Sequence, residues 1–342
     1  MKTSDYDYYL PLELIAQTPA EPRDSSRLLV LHRASGRIEH SRFDRLGEYL
    51  RAGDLLVLND SRVIPARIHA RQRDSRRRAE FLLLRRMEPG TWQAIGRPGR
   101  RLRVGERYVV EASEVEAEVL ERCEDGTLVL RLSTEEGMEE WGQVPLPPYI
   151  HKPLDDRERY QTIYAREPGS AAAPTAGLHF TRELMEGLSS QGVNRVYVTL
   201  RVGLDTFRPV EAEDPRRHKV HTEYFRLDPV TAAVINSTRR EGGRIVAVGT
   251  TSVRTLEQAA LWSEGRGDGE LAPTSGWADL LILPGHRFRL VDAMITNFHL
   301  PRSTTLMLAT AFAGKEPLMA AYQAAIEERY RFYSFGDGMV IL

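Results

Sequence analysis

Five apolar, β-branched runs most constrain the fold: DLLVLND (54–60), RVYVTLRVG (195–203), GRIVAVGTT (243–251), ADLLILPG (278–285) and RLVDAMITNF (289–298). Each is near-continuous in apolar character rather than alternating, as a strand buried on both faces requires. Helix-length segments follow or separate them, at 181–191, 229–241, 252–264, 303–314 and 316–329. A largely parallel sheet covered by helices satisfies both patterns, so the expected class is α/β. Sheets of this kind bind ligands beyond the carboxyl ends of their strands.

Residues 66–150 read differently. ARIHARQR, AEFLLLRRM, TWQAIGRP, RYVVEA, VEAEVLERC and GTLVLRLS are short, partly alternating segments divided by turn formers such as EPG and EDG. That spacing predicts a small antiparallel β-barrel or sandwich. The proline-rich VPLPPYIHKP closes it, since proline suits neither a helix interior nor a central strand. The expected organisation is a core of residues 1–65 plus 151–342, with 66–150 inserted as a separate β-domain.

Charge is uneven. The net value is -1, yet 62–107 holds 14 arginines against 4 acidic residues, and 111–140 holds 11 acidic residues against 2 arginines. Such asymmetry can give a one-sided field that attracts a polyanion. Arg67, Arg71, Arg73, Arg76, Arg77, Arg78, Arg100 and Arg101 are the candidate phosphate contacts. The competing reading is compositional bias, because all but four of the 47 basic residues are arginine. A single cysteine, Cys123, excludes an internal disulfide and a cysteine metal cluster, and points to a reducing compartment. No apolar run approaches the ~18 residues of a membrane span, so a cytoplasmic, membrane-free protein is expected.

Four segments carry polar groups suited to chemistry. In IVAVGTTSVRTLEQA (245–259) a strand ends at Gly249, and Thr250, Thr251 and Ser252 open a helix whose free amides favour an anion; Arg254 adds a fork for a carboxylate or phosphate. The segment has neither P-loop lysine nor GxGxxG spacing, which argues against nucleoside-triphosphate and dinucleotide sites. AAAPTAGLHFT (171–181) places His179 and Phe180 on a loop before a helix capped by Thr181. In HKVHTEYF (218–225), His221 and Glu223 share a strand face, which suits a base and its orienter. His218, His221 and Glu223 also allow a metal-dependent hydrolase. In VDAMITNFHLPRSTTLMLATAFAG (291–314), Asn297, Phe298 and His299 fall where a strand ends, before a helix capped by Ser303 or Thr304. Asparagine can pair with an adenine edge, phenylalanine can stack on it and histidine can move a proton.

Together with YDYYLPLELIAQTPAEPRDSSRLLVL (6–31), LVLNDSRVIPARI (56–68) and YRFYSFGDGMVIL (330–342), these segments closely resemble the S-adenosylmethionine:tRNA ribosyltransferase-isomerases of queuosine biosynthesis. The resemblance spans nearly the whole chain. It implies a barrel-like α/β core carrying an inserted antiparallel β-barrel. It also implies transfer and isomerisation of the ribosyl part of S-adenosylmethionine onto the aminomethyl group of a 7-deazaguanine at the tRNA wobble position. The products would be epoxyqueuosine in tRNA, adenine and methionine, with no metal and no cofactor beyond the donor itself. The partner would be the anticodon stem-loop, gripped by the basic segment of the insert, and the enzyme would act as a monomer. On this reading His221 oriented by Glu223, or else His299, is the base. His179 or Asn297 assists departing adenine, Phe298 stacks on it, and the 249–254 turn with Arg254 holds the methionine carboxylate. A non-catalytic RNA-binding module would account for the basic segment but not for the polar strand ends.

Overall fold

The computed structural model describes the chain apart from residues 204–208, 219, 221 and 265–268 and the side chain of Arg100. It divides into two compact units. Met1–Ser61, Pro147–Glu167 and Ala173–Leu342 form one; Arg62–Leu146 and Pro168–Ala172 form the other. No described helix is long and apolar enough to cross a membrane.

In chain order, the large unit begins with β1 (Arg27–His32), β2 (Arg37–Arg42) and β3 (Leu55–Asn59), followed by the short β4 (Ser61–Val63). The smaller unit contains β5 (Arg67–Gln72), β6 (Arg78–Glu88), β7 (Thr91–Arg97), β8 (Arg107–Val110), β9 (Glu116–Arg122), β10 (Leu128–Leu132) and the single turn α1 (Met138–Trp141). After β11 (Glu167–Ser170) come α2 (Arg182–Ser190), β12 (Asn194–Leu200), β13 (Glu223–Leu227), α3 (Pro229–Arg240), β14 (Ile245–Val248) and α4 (Gly249–Ser263). The chain finishes with β15 (Thr274–Ala278), β16 (Ala293–Asn297), α5 (Thr304–Ala313), α6 (Lys315–Glu327) and β17 (Gly338–Ile341).

The expected α/β core with an inserted antiparallel barrel is the architecture found. Strands β5 to β10 close into a barrel in the order β10-β7-β6-β5-β8-β9, every pair antiparallel. Period-two alternation does the work: Ile68, Ala70, Phe81, Leu83, Ala117 and Val119 point inward while their neighbours face out. Each large side chain buried this way contributes about 1.5–3 kcal/mol.

The core sheet runs β15-β13-β12-β3-β14-β16-β17-β1-β2. Its centre is parallel: Val57 of β3 lies opposite Val196 of β12 and Ala247 of β14, and Val248 lies opposite Ile295 of β16. Strands β3, β14 and β16 are buried along their whole length, which explains their unbroken apolar sequence. The sheet is mixed rather than largely parallel, because β13, β15, β2 and the β16–β17 pair are antiparallel.

One expected strand does not form. ADLLILPG contributes only Ala278 to β15, and 279–285 leaves the sheet. Side chains capture its backbone instead: Gln258 Oε1 accepts from the amides of Asp279 and Leu280, and the Leu280 carbonyl accepts from Arg254 Nε at 3.3 Å. The apolar run lines a cavity, described below.

Candidate active site

Strands β3, β12, β14 and β16 end at one edge of the core sheet, and the first cavity opens there. It encloses about 550 Å³ of empty space and is walled by Asn297, His299, Gly249, Thr250, Thr251, Thr175, Thr305, Tyr149, Tyr333 and Ser334, among others. Gly249 is the corner between β14 and α4, with φ +85°, a left-handed conformation that a residue with a Cβ resists. The helices α2, α3 and α5 are capped by side chains, Thr181, Asp228 and Ser303 respectively. Helix α4 is preceded by Val248, which cannot cap, so its first-turn amides are left to other partners at the cavity.

Asn297 is held from two sides. Thr175 Oγ1 donates to its Oδ1 at 2.9 Å, and its Nδ2 donates to His179 Nε2 at 3.1 Å. With Nε2 accepting, the proton sits on His179 Nδ1, 2.8 Å from Ser26 Oγ. The imidazole is stacked on Phe43 at 4.6 Å, and burial, aided by the positive charges of Arg331 and Arg23, lowers its pKa to about 3. His179 therefore lies behind the cavity wall as a neutral strut for Asn297, not as a group at the surface of the site.

His299 does reach the cavity. Its Nε2 lies 2.8 Å from Thr296 Oγ1, its amide donates to the Tyr322 hydroxyl at 2.7 Å, and burial lowers the imidazole pKa to about 3. Phe298 is placed otherwise than its expected stacking role requires. Its side chain is wholly buried among Tyr322, Tyr330 and Phe332, with ring centroids at 5.3, 5.7 and 4.8 Å. Alternation explains this: Asn297 faces His179 on one side of the sheet, so the next residue turns to the opposite side, where α6 supplies Tyr322. Phe298 is nonetheless among the residues that line the cavity, together with Tyr149 and Tyr333, whose rings lie 4.8 Å apart, with the Tyr149 hydroxyl 2.7 Å from Ser334 Oγ. Tyr333 has φ +71°, a left-handed backbone that costs about 1–3 kcal/mol in a non-glycine residue and tends to mark a site.

A second cavity, with about 650 Å³ of empty space, shares Thr250, Thr251 and Thr305 with the first. It is lined by Glu223, Arg254, Gly203, His218 and the apolar run Leu280, Leu281 and Ile282. Arg254 Nη1 is paired with Glu223 Oε2, and the Gly203 amide donates to Glu223 Oε1 at 2.7 Å. Arg254 Nη2 and Thr251 Oγ1 are buried and have no hydrogen-bond partner among the described residues. Ser252 takes no part in either wall, since its hydroxyl bonds back to the Val248 carbonyl at 2.8 Å. His221 lies outside the described residues. Among those described, no three groups come together as a metal site.

In the barrel, most of the expected phosphate contacts are already engaged. Arg71 pairs with Glu111 at 3.0 Å, Arg73 with Glu116 at 2.7 Å, Arg77 with Glu106 at 3.2 Å and Arg67 with Glu80 at 3.9 Å. The acidic partners come largely from β8, β9 and their flanking loops, so the two halves of the sequence asymmetry face each other across the strands. Arg76, Arg78 and Arg101 are exposed and form no ion pair among the described residues, as does Arg103, which the sequence reading passed over. The side chain of Arg100 lies outside the description.

Thr175, Tyr149, Tyr333, Ser334 and Thr305 were also passed over. They sit in PTAGLHFT, PLPPYIHKP, RFYSFGDG and PRSTTLM, where proline, glycine and hydroxyl residues give a turn signal but no chemical one.

A fold with inserted barrel and a polar, strand-end cavity defines an α/β enzyme-like architecture. Residues 3–341 match the family described as queuosine biosynthesis protein. The chain belongs to that family. It is 53% identical over 346 residues to the S-adenosylmethionine:tRNA ribosyltransferase-isomerase of Symbiobacterium thermophilum, and 51% identical over 345 residues to that of Acetivibrio thermocellus, each alignment covering 100% of both chains. It is also similar to a crystal structure of an S-adenosylmethionine tRNA ribosyltransferase from Thermotoga maritima, with 42% identity, a TM-score of 0.57, and coverage of 99% of this chain and 100% of that one.

Proposed function

We propose that this chain is an S-adenosylmethionine:tRNA ribosyltransferase-isomerase, transferring and rearranging the donor's ribosyl group onto a 7-aminomethyl-7-deazaguanine at the tRNA wobble position. The observation that carries the reading is the pair of joined cavities at the carboxyl edge of the core sheet. One holds a fixed amide, an imidazole and two tyrosines, and the other holds a buried guanidinium. Together they suit a nucleoside joined to an amino acid.

The substrate's own chemistry sets the demands on the site. A sulfonium acidifies the adjacent C5′–H, and its removal gives an ylide. Expulsion of the ring oxygen then opens the ribose, and adenine leaves as the C1′ aldehyde forms. The base's aminomethyl nitrogen adds to the vinyl sulfonium, regenerating an ylide that closes on the aldehyde. The resulting alkoxide displaces methionine and leaves an epoxide. In this scheme Asn297 holds the adenine edge, Tyr149 and Tyr333 flank the ring in place of Phe298, and His299 takes the C5′ proton. Burial keeps His299 uncharged throughout the physiological range, and because the same burial makes it a weak base, donor binding has to raise its basicity for it to take this proton. A dry site limits its basicity but protects the ylide from water. Arg76, Arg78, Arg101 and Arg103 of the barrel carry RNA phosphates. The reaction takes place in the cytoplasm, where the tRNA resides, and needs no metal.

Adenine release from S-adenosylmethionine, dependent on tRNA bearing the deazaguanine, tests the activity directly. Replacing His299 with alanine should lower the single-turnover rate by about 10²–10⁴-fold with tRNA and donor still bound. An unchanged rate would move the base to His221.

A further inference from the structure

We infer that the open face of β12, β13 and β15 is a platform for single-stranded RNA, with an unpaired base on the Tyr224–Trp277 pair and backbone phosphates on Arg201, Arg226 and Arg166. This rests on the reading of tRNA as acceptor and deepens it, by giving the RNA a surface on the core unit itself.

Strand alternation builds the face. Glu223, Phe225 and Leu227 of β13 are buried, and the Phe225 ring lies 5.1 Å from that of Trp262 on α4, so helix covers their side. Tyr224 and Arg226 point the opposite way. Register sets them in two rows across the sheet. Tyr224 lies opposite Trp277 of β15, and the Arg201 amide donates to the Tyr224 carbonyl at 2.9 Å. Two positions along, Arg226 lies between Thr199 and Ser275. Arg201, Arg226, Ser275 and Trp277 are all exposed. Arg195, earlier on the same side of β12, is tied to Met185 and Ser189 of α2, so the open part begins beyond it. Trp277 is held edge-on to Tyr224, ring centroids 5.7 Å apart, with a further contact in the fold, and stays 39% exposed.

Charge identifies the occupant. The Arg201 guanidinium sits over the Tyr224 ring at 5.1 Å and forms no ion pair among the described residues. A cation held over a ring in this way keeps its N–H fork for a phosphate. Arg226 Nη2 lies 2.9 Å and Arg166 Nε 3.6 Å from the same oxygen of Glu167, while Arg166 Nη2 donates to the buried Asp60 at 2.6 Å. Three arginines thus stand against two carboxylates, one of them withdrawn from the surface. Asp279, just past β15, turns with its chain toward Gln258 of α4. A protein partner drawn to exposed rings would have no use for the surplus of arginine, and a simple anion none for the rings. Single-stranded RNA uses both, stacking bases on aromatic side chains while arginine takes the phosphates. Position agrees. Val202 and Gly203, which follow Arg201, line the first and second cavities, and Glu223, beside Tyr224, lines the second. The row Arg201–Tyr224–Trp277 therefore lies at the rim, where a loop nucleotide next to the reacting base falls.

The test is equilibrium binding of the full chain, over a range of salt, to two probes: an RNA hairpin with 7-aminomethyl-7-deazaguanine in its loop, and a blunt RNA duplex matching its stem. Trp277→Ala should weaken hairpin binding by about 5–150-fold, the loss of one stacked base, with the salt slope unchanged. Trp277→Phe should recover most of that loss. Arg201→Gln and Arg226→Gln should each lower the slope by about 0.7. Duplex binding and S-adenosylmethionine binding should hold in all four variants. Unchanged hairpin affinity and slope in both arginine variants, with the wild type binding, overturns the inference; the tRNA reading then stands on the barrel, and the face is left to a protein partner. Equal losses on hairpin and duplex overturn it as well. No hairpin binding by the wild type overturns the tRNA reading and this inference together. The arginine variants change exposed side chains, so they decide the matter even where Trp277→Ala fails to fold.

Discussion

The barrel and the carboxyl edge of the core sheet both concentrate polar side chains, but they settle them in opposite ways. In the barrel, a surplus of arginine is matched by glutamates on or beside neighbouring parts of the wall, as in Arg71–Glu111 and Arg73–Glu116. At the sheet edge, Arg254 Nη2 and Thr251 Oγ1 are withdrawn from water and unmatched among the described residues. An exposed ion pair contributes little, about 0–1 kcal/mol, so the barrel can rearrange its charges cheaply when a polyanion arrives. A buried unmatched donor is costly to keep, so its retention points to a ligand. Charge density therefore says less about binding than whether the charge is already satisfied.

Phe298→Ala gives the largest expected effect that would break this contrast. If the ring belongs to the core, its removal should destabilise the protein by about 3–5 kcal/mol, read as a lowered melting temperature, with activity per folded molecule retained. A stable variant with weakened donor binding would return Phe298 to the site. Acid sensitivity comes next. Unfolded His179 takes a proton near pH 6.5, whereas in the fold burial lowers its pKa to about 3. Between those values the unfolded chain holds more protons, so stability falls as pH falls, by about 1.4 kcal/mol per pH unit from this group. Denaturant melts of His179→Gln from pH 6.5 to 4 should show a flatter slope; an unaltered slope would mean that His179 is not the buried neutral group. The smallest effects concern single arginines. Charge reversal at Arg76, Arg78 or Arg101 should weaken tRNA binding and reduce the salt slope by roughly 0.7–0.9 per lost contact, while Arg73→Gln and Arg77→Gln should change it much less. Equal losses at all five would show that ion pairing does not decide which arginines engage RNA.

The α/β class and the barrel strands were legible because their signals are local: unbroken apolar runs for β3, β14 and β16, and alternation for β5 to β10. The cavity-lining segments were legible as strand-to-helix corners, Gly249 and Asn297 above all. What could not be read depended on partners far along the chain. ADLLILPG has the composition of a strand, but Gln258 and Arg254 hold its backbone away from the sheet. Phe298 and Asn297 are adjacent in sequence and both line the cavity, but only the sheet face decides which side chain meets His179 and which enters the aromatic cluster of Tyr322, Tyr330 and Phe332. The basic segment and the acidic one are separated in sequence but interleaved by antiparallel pairing, which no count of charges along the chain reveals.

The bonds around Asn297 also make its surroundings reversible as a unit. An amide can be turned end for end with almost no change in shape. Here Thr175 Oγ1 donates to the oxygen and the nitrogen donates to His179 Nε2, with Ser26 Oγ behind the imidazole. Each of these neighbours can either donate or accept, so turning the amide over needs only a change of imidazole tautomer and the rotation of two hydroxyls. The donor and the acceptor that Asn297 keeps over can therefore trade sides while the heavy atoms of Ser26, His179 and Thr175 stay where they are.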